Sequence, residues 1–98
     1  MPFKPLSHAV LEARAVGDKL LIIYDYIDFP RGAPARNLFA YSIKDQAELW
    51  RAEDIGLGVL DAYTRFVSDE PLMVANFAGL HCRIDIGTGC VIGKTLAK

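Results

Sequence analysis

Leu80-His81-Cys82-Arg83-Ile84-Asp85-Ile86-Gly87-Thr88-Gly89-Cys90-Val91-Ile92 reads as strand, tight turn, strand. The aspartate and the glycines supply turn chemistry, and the residues on either side suit a pleated sheet. The chain carries a second stretch of the same kind, Leu38-Phe39-Ala40-Tyr41-Ser42-Ile43-Lys44-Asp45-Gln46-Ala47-Glu48-Leu49-Trp50. These two hairpins organise the reading of everything else.

Working outward, Lys19 to Asp28 is the most apolar segment and is rich in β-branched and aromatic residues. Leu20, Ile22, Tyr24 and Tyr26 alternate with Leu21, Ile23, Asp25 and Ile27, so a strand here is apolar on both faces and belongs inside a sheet covered on both sides. Before it, Ser7 to Val16 fits either a helix capped by Ser7 or a loosely alternating strand. The short Gly17-Asp18 turn into the next strand favours strand. Phe29 to Arg36, with two prolines, one glycine and two arginines, is a loop. Strands are then expected at Asn37–Ile43 and Ala47–Arg51. A connection over Ala52–Leu60 leads to further strands at Asp61–Ser68 and Leu72–Phe77 and to the final hairpin, which runs to Thr95.

The expected fold is a single all-β domain of two four-stranded antiparallel β-meanders, about eight strands in all. Ser42 aligns with Asp85 at an offset of 43 residues, and Leu20 with Leu72 at an offset of 52. The difference is extra length in the Phe29–Arg36 loop. Repeat one spans about residues 8–51 and repeat two about 61–97, a period typical of propeller blades.

The residues Leu38-Phe39-Ala40-Tyr41-Ser42, Asp45-Gln46 and Glu48-Leu49-Trp50 resemble the blade motif of quinoprotein-type (PQQ-like) β-propellers, roughly L-Y-A-L-D-x-x-T-G-x-x-L-W. The second copy keeps Asp85 and Thr88-Gly89 of that motif but has Gly93 where the first has Trp50. The resemblance covers about a third of the chain and implies a blade-like meander. It implies no quinone or other cofactor, because two blades do not form the cofactor funnel of that family.

Several groupings invite chemistry. His81, Cys82 and Asp85 could be read as a nucleophile, base and acid, but His81, Arg83 and Asp85 share one strand face while Cys82 points the other way. A core cysteine and an exposed histidine is the simpler reading. Asp85 opposite Cys90 sets Cys82 opposite Gly93, with the two thiols on opposite sheet faces and both free. Neither His8 nor His81 has the neighbours of a metal site. Gly87-Thr88-Gly89 with Lys94-Thr95 lacks the spacing of a phosphate-binding loop.

Seven aromatics, Tyr24, Tyr26, Phe39, Tyr41, Trp50, Tyr63 and Phe66, could form a platform for a small ligand or carbohydrate, or pack a core. With Ser42 opposite Ala47, Trp50 is expected to face Phe39 across the first hairpin, which makes Trp50, Phe39 and Tyr41 structural anchors. The binding candidates are Phe29, Arg31 and Arg36 of the loop, an aromatic and two arginines on an irregular stretch.

Composition bounds the function. The 98 residues are 52% hydrophobic, enough for a core, and 11 basic against 12 acidic residues leave a net charge of −1. That balance gives no pull towards nucleic acid or a membrane surface. The longest apolar run, Leu20–Tyr24, is far too short for a membrane span, and the N-terminus lacks a signal-peptide core. The expected location is the cytoplasm, and no cofactor, metal or catalytic residue is expected. The reading that results is a small non-catalytic protein-interaction module, immunity-like or adaptor-like, acting on a protein partner or as a homodimer built on the Leu20–Asp28 strand's sheet. The alternative is a small-ligand or carbohydrate binder using an aromatic sheet face.

Overall fold

The structure, a computed structural model, describes residues 9–29, 35–56 and 61–96. Two four-stranded antiparallel sheets make up the fold. The first holds β1 (Val10–Val16), β2 (Lys19–Tyr24), β3 (Leu38–Ser42) and β4 (Glu48–Arg51). The second holds β5 (Tyr63–Asp69), β6 (Leu72–Asn76), β7 (Leu80–Ile84) and β8 (Val91–Leu96). In each sheet, sequence order is spatial order. The ambiguous N-terminal segment is a strand: Val16 pairs with Lys19 across a two-residue turn, and Gly17 takes the positive φ that such a turn requires. No described helix is long and apolar enough to cross a membrane.

The β2 strand stops earlier than its composition suggests. Pairing ends at Tyr24, and Tyr26–Asp28 forms a single 3-10 turn. The cause is Asp25, whose carboxylate accepts the Ile27 N–H at 3.0 Å and so offers the backbone a local partner in place of the ladder. Tyr26 and Ile27 therefore leave the sheet and are exposed.

Both hairpins carry the same irregularity. In the first, Ser42 meets Ala47 as expected and Tyr41 pairs with Glu48, but Ala40 then pairs with Trp50. Leu49 is the extra residue of a β-bulge. In the second, Ile84 pairs with Val91 and Arg83 with Gly93, which makes Ile92 the extra residue. A bulge shifts the register by one, so every later residue has a different partner, and faces the other way, from what uninterrupted alternation gives. So Phe39 lies opposite Arg51 and on the face away from Trp50, and Cys82 lies opposite Lys94 and not Gly93. Both pairings expected from uninterrupted alternation are corrected on this ground. The thiols remain free, Cys82 buried and Cys90 exposed.

The sheets share one core. Leu21, Ile23, Leu38, Ala40 and Trp50 of the first sheet pack on Leu72, Val74, Cys82 and Ile84 of the second, with Tyr63 and Phe66 at the side. The other face of the first sheet holds a second cluster of Ile22, Tyr24, Phe39 and Tyr41, with Leu20 and Phe29 against it. Both faces of β2 are thus buried, as its sequence demands.

Registers match between the sheets at the sequence offsets. Leu21 pairs with Ala40 as Met73 pairs with Arg83, and Ile23 with Leu38 as Ala75 with His81. The contact face of the first sheet is therefore equivalent to the outer face of the second. The two meanders stack front to back, each presenting a different face to the shared core.

Candidate functional site

Of the three loop residues expected to bind, Arg31 lies outside the described residues. Phe29 and Arg36 are described, and both are engaged with β4. Arg36, at φ 46°, donates from Nε to the Ala52 carbonyl (3.2 Å) and from Nη2 to the Arg51 carbonyl (3.4 Å). Arg51 returns the contact, Nε to the Arg36 carbonyl and Nη2 to the Ala35 carbonyl, each at 2.8 Å. The Arg51 guanidinium also lies over the rings of Phe39 and Phe29, at 5.1 and 5.7 Å from their centroids. Burial, and then the neighbouring Arg36 charge, lowers the Arg51 pKa from its usual value. The end of the loop is a reciprocal arginine clip. Its hub, Arg51, escaped the sequence reading because it sits inside a strand with nothing local to mark it.

Most of the aromatics are committed to packing. Tyr24, Phe39, Tyr41, Trp50, Tyr63 and Phe66 are all buried. The Tyr24 and Tyr41 hydroxyls share a hydrogen bond at 2.9 Å, and Phe39 meets Tyr24 edge-on and stacks on Tyr41. Burial, followed by the Tyr24 hydrogen bond, holds the Tyr41 pKa well above its ordinary value. Tyr26 is the exposed member of the seven, and its ring lies 5.5 Å from that of Phe77, which is also exposed.

Trp50 joins the two sheets. Only 8% exposed, it donates from Nε1 to the Ile86 carbonyl at 2.9 Å and lies against Gly89 in the β7–β8 turn. Phe39 and Tyr41 belong to the second cluster, so the three expected anchors divide between the two faces of one sheet.

His81, Cys82 and Asp85 do not assemble. Cys82 faces the shared core, where burial and then the Asp61 charge push its thiol up to about 11, leaving it protonated and unreactive at neutral pH. His81 stands on the opposite face, half-buried and not exposed as expected. Among the described residues no group of three or more His, Cys, Asp or Glu could hold a metal ion.

Side chains close the seam where β1 meets β5. One Glu12 oxygen accepts the Phe66 N–H at 2.9 Å, and the other pairs with Arg14 at 3.0 Å. Arg14 also reaches Asp69 at 2.9 Å and covers the Phe66 ring. The Asp69 hydrogen bond is the main cause of a raised Arg14 pKa. Asn37, fully buried, behaves as one more peptide unit. Its Nδ2 donates to the Tyr24 (2.6 Å) and Tyr63 (2.8 Å) carbonyls, and its Oδ1 accepts the Tyr63 N–H at 2.8 Å. These caps satisfy backbone groups that an open edge leaves unpaired.

The last strand is different. Glu53 accepts the Val91 N–H at 2.8 Å and donates its own N–H to the Gly89 carbonyl, which covers the start of β8. Beyond Val91, no described strand lies on the outer side of β8. Ile92 is 56% and Leu96 74% exposed, and Lys94 and Thr95 are exposed as well. Comparison with protein-family models, with curated proteins and with solved structures finds no match to this chain.

Proposed function

We propose that the chain is a small non-catalytic protein-interaction module that engages a polypeptide partner along β8. One observation carries this reading: on β5 the Tyr63 and Phe66 N–H groups are capped by the Asn37 and Glu12 side chains, whereas beyond Val91 no described strand lies on the outer side of β8, which exposes two large apolar side chains. An unpaired strand edge offers N–H and C=O groups to an incoming strand, and flanking apolar side chains add contact area. The partner is another protein or a second copy of the chain.

Reconstitution tests the proposal. A polypeptide captured from the native host is purified and mixed with the wild-type chain and with Ile92→Asp/Leu96→Asp. Sedimentation velocity then measures the complex, and runs of the chain alone up to high micromolar concentration test the second copy. The expected result is a complex, or a dimer, that the double variant loses while its thermal midpoint holds. A complex of equal affinity in the variant refutes engagement along β8.

A further inference from the structure

The outer face of the second sheet carries charge where its counterpart in the first sheet is apolar. Front-to-back stacking makes it the equivalent of the face with which the first sheet binds the second. In the first sheet that face carries Leu38, Ala40 and Trp50. The equivalent positions here, at the same offset of 43 residues, are His81, Arg83 and Gly93. A surface with the geometry of a stacking face has thus changed from apolar to cationic.

Register places its members. Arg65, Ala75, His81 and Thr95 lie in one row across β5, β6, β7 and β8, and Met73, Arg83 and Gly93 lie in the next. Strands are spaced ~4.8 Å apart, so Arg65 and His81 flank Ala75 at roughly 10 Å from one another. Arg65 and Arg83 are both exposed, and neither takes part in an ion pair among the described residues. Of the carboxylates of this half of the chain, only Asp85, two positions beyond Arg83, falls on the same side, at the turn end. Asp61 is buried, Asp69 holds Arg14, Glu70 is in the β5–β6 turn, and Asp85 accepts the Gly87 N–H within its own turn. His81 Nε2 is shielded from solvent without a hydrogen-bond partner. A solvated face of this size ordinarily mixes both signs of charge. Among the described residues this one presents two exposed arginines, with Asp85 at the turn end engaged by the Gly87 N–H, around a floor of Ala75, Met73 and Gly93.

We infer that the Arg65–His81–Arg83 face is a docking surface for an acidic polypeptide segment. A carboxylate docked beside Ala75 reaches the exposed Arg65 guanidinium, and Arg83 takes a neighbouring carboxylate, with His81 between the two. Arginine suits this role because its planar donors match carboxylate geometry. Two permanent cations on a chain of net charge −1 fit a short acidic segment better than a nucleic acid, whose binding rests on neutralising many phosphates. The site lies on a sheet face and is independent of pairing along β8.

The test is a titration of the isotope-labelled chain with hexaglutamate, followed by amide chemical shifts at low salt, with a thymidine hexanucleotide as comparator. Saturable shifts are expected at Arg65, Ala75, His81, Arg83 and Thr95. Affinity should fall at least about ten-fold in Arg65→Glu/Arg83→Glu, since each lost charge-assisted contact weakens binding. Lys94→Glu reverses one charge on the opposite side of the sheet, to be compared with Arg65→Glu or Arg83→Glu alone, and should leave the shifts in place. If the double charge reversal does not fold, Arg65→Gln/Arg83→Gln takes its place, with the same loss expected. Absence of saturable shifts, equal loss in Lys94→Glu, or tighter binding of the hexanucleotide each overturns the inference.

Discussion

Trp50 and Gly89 form a contact whose strength a double-mutant cycle can measure. Gly89 has φ +80°, and a Cβ built there falls 2.5 Å from Cε3 of the Trp50 indole. Gly89→Ala therefore carries two separate penalties. Holding alanine in the left-handed region costs ~1–2 kcal/mol, and forcing a methyl into the indole costs ~1–3 kcal/mol as overpacking. Trp50→Ala removes a buried ring and the donor to the Ile86 carbonyl, for ~3–5 kcal/mol. That is a large share of the ~5–15 kcal/mol expected for a domain of this size. In the Trp50→Ala background the clash has no second partner, so Gly89→Ala should cost only the backbone term. The double variant is then less destabilised than the sum of the singles by ~1–3 kcal/mol. Urea unfolding followed by far-ultraviolet circular dichroism reads all four corners without relying on tryptophan fluorescence. If Trp50→Ala leaves too little folded baseline, Trp50→Leu completes the cycle with the same sign. Additivity within ~0.5 kcal/mol, or a Trp50→Ala cost below ~1 kcal/mol, where a buried ring demands several, would show that the indole does not tie the sheets together.

Other expectations follow from the same contacts. Asn37→Ala removes the acceptor of the buried Tyr63 N–H and a donor to the Tyr24 and Tyr63 carbonyls and should cost ~3 kcal/mol or more, read as a drop in urea midpoint at constant slope. Iodoacetamide at mildly alkaline pH should label the folded chain once, at Cys90, and the unfolded chain twice, because the buried Cys82 thiol is held up at about 11; intact mass reads the difference. Asp45 accepts the Ala47 N–H, the main cause of a carboxyl pKa below its usual value, with help from Ser42. A depressed folded pKa contributes stability present above the unfolded carboxylate value and lost as pH falls through the folded one, so the first turn should loosen only in acid. Asp45→Asn should remove that pH dependence from the Ile43–Ala47 amide shifts.

Much of the fold was legible because alternation and turn chemistry are local. Both faces of Lys19–Tyr24 are apolar, and both are buried. Gly17-Asp18 reads as a two-residue turn and is one. What alternation cannot show is a bulge: Leu49 and Ile92 look like any other strand residues, yet each displaces all the pairing beyond it, which is why Trp50 was set against Phe39 and Cys82 against Gly93. The contacts that close the molecule were hidden for another reason. Asn37 reaches Tyr63 across 26 positions and Glu12 reaches Phe66 across 54, and no local pattern announces such partners. In the loop, Arg36 was visible as a residue, but its partner Arg51 was not, since nothing in a strand sequence marks a guanidinium that folds back on carbonyls.

Front-to-back stacking gives the chain a head and a tail. Two identical units placed this way could not both be content, because the same face lies against a neighbour in one and against water in the other. The units are obliged to differ on that face, as Leu38 differs from His81, Ala40 from Arg83 and Trp50 from Gly93. Turns are under no such obligation: Gln46 and Gly89 share a positive φ, and the residues that bulge fall at the same offset. The faintness of the internal repeat is thus a product of how its halves are assembled. A third unit stacked on that face in the same way would require apolar residues where the second unit carries His81 and Arg83.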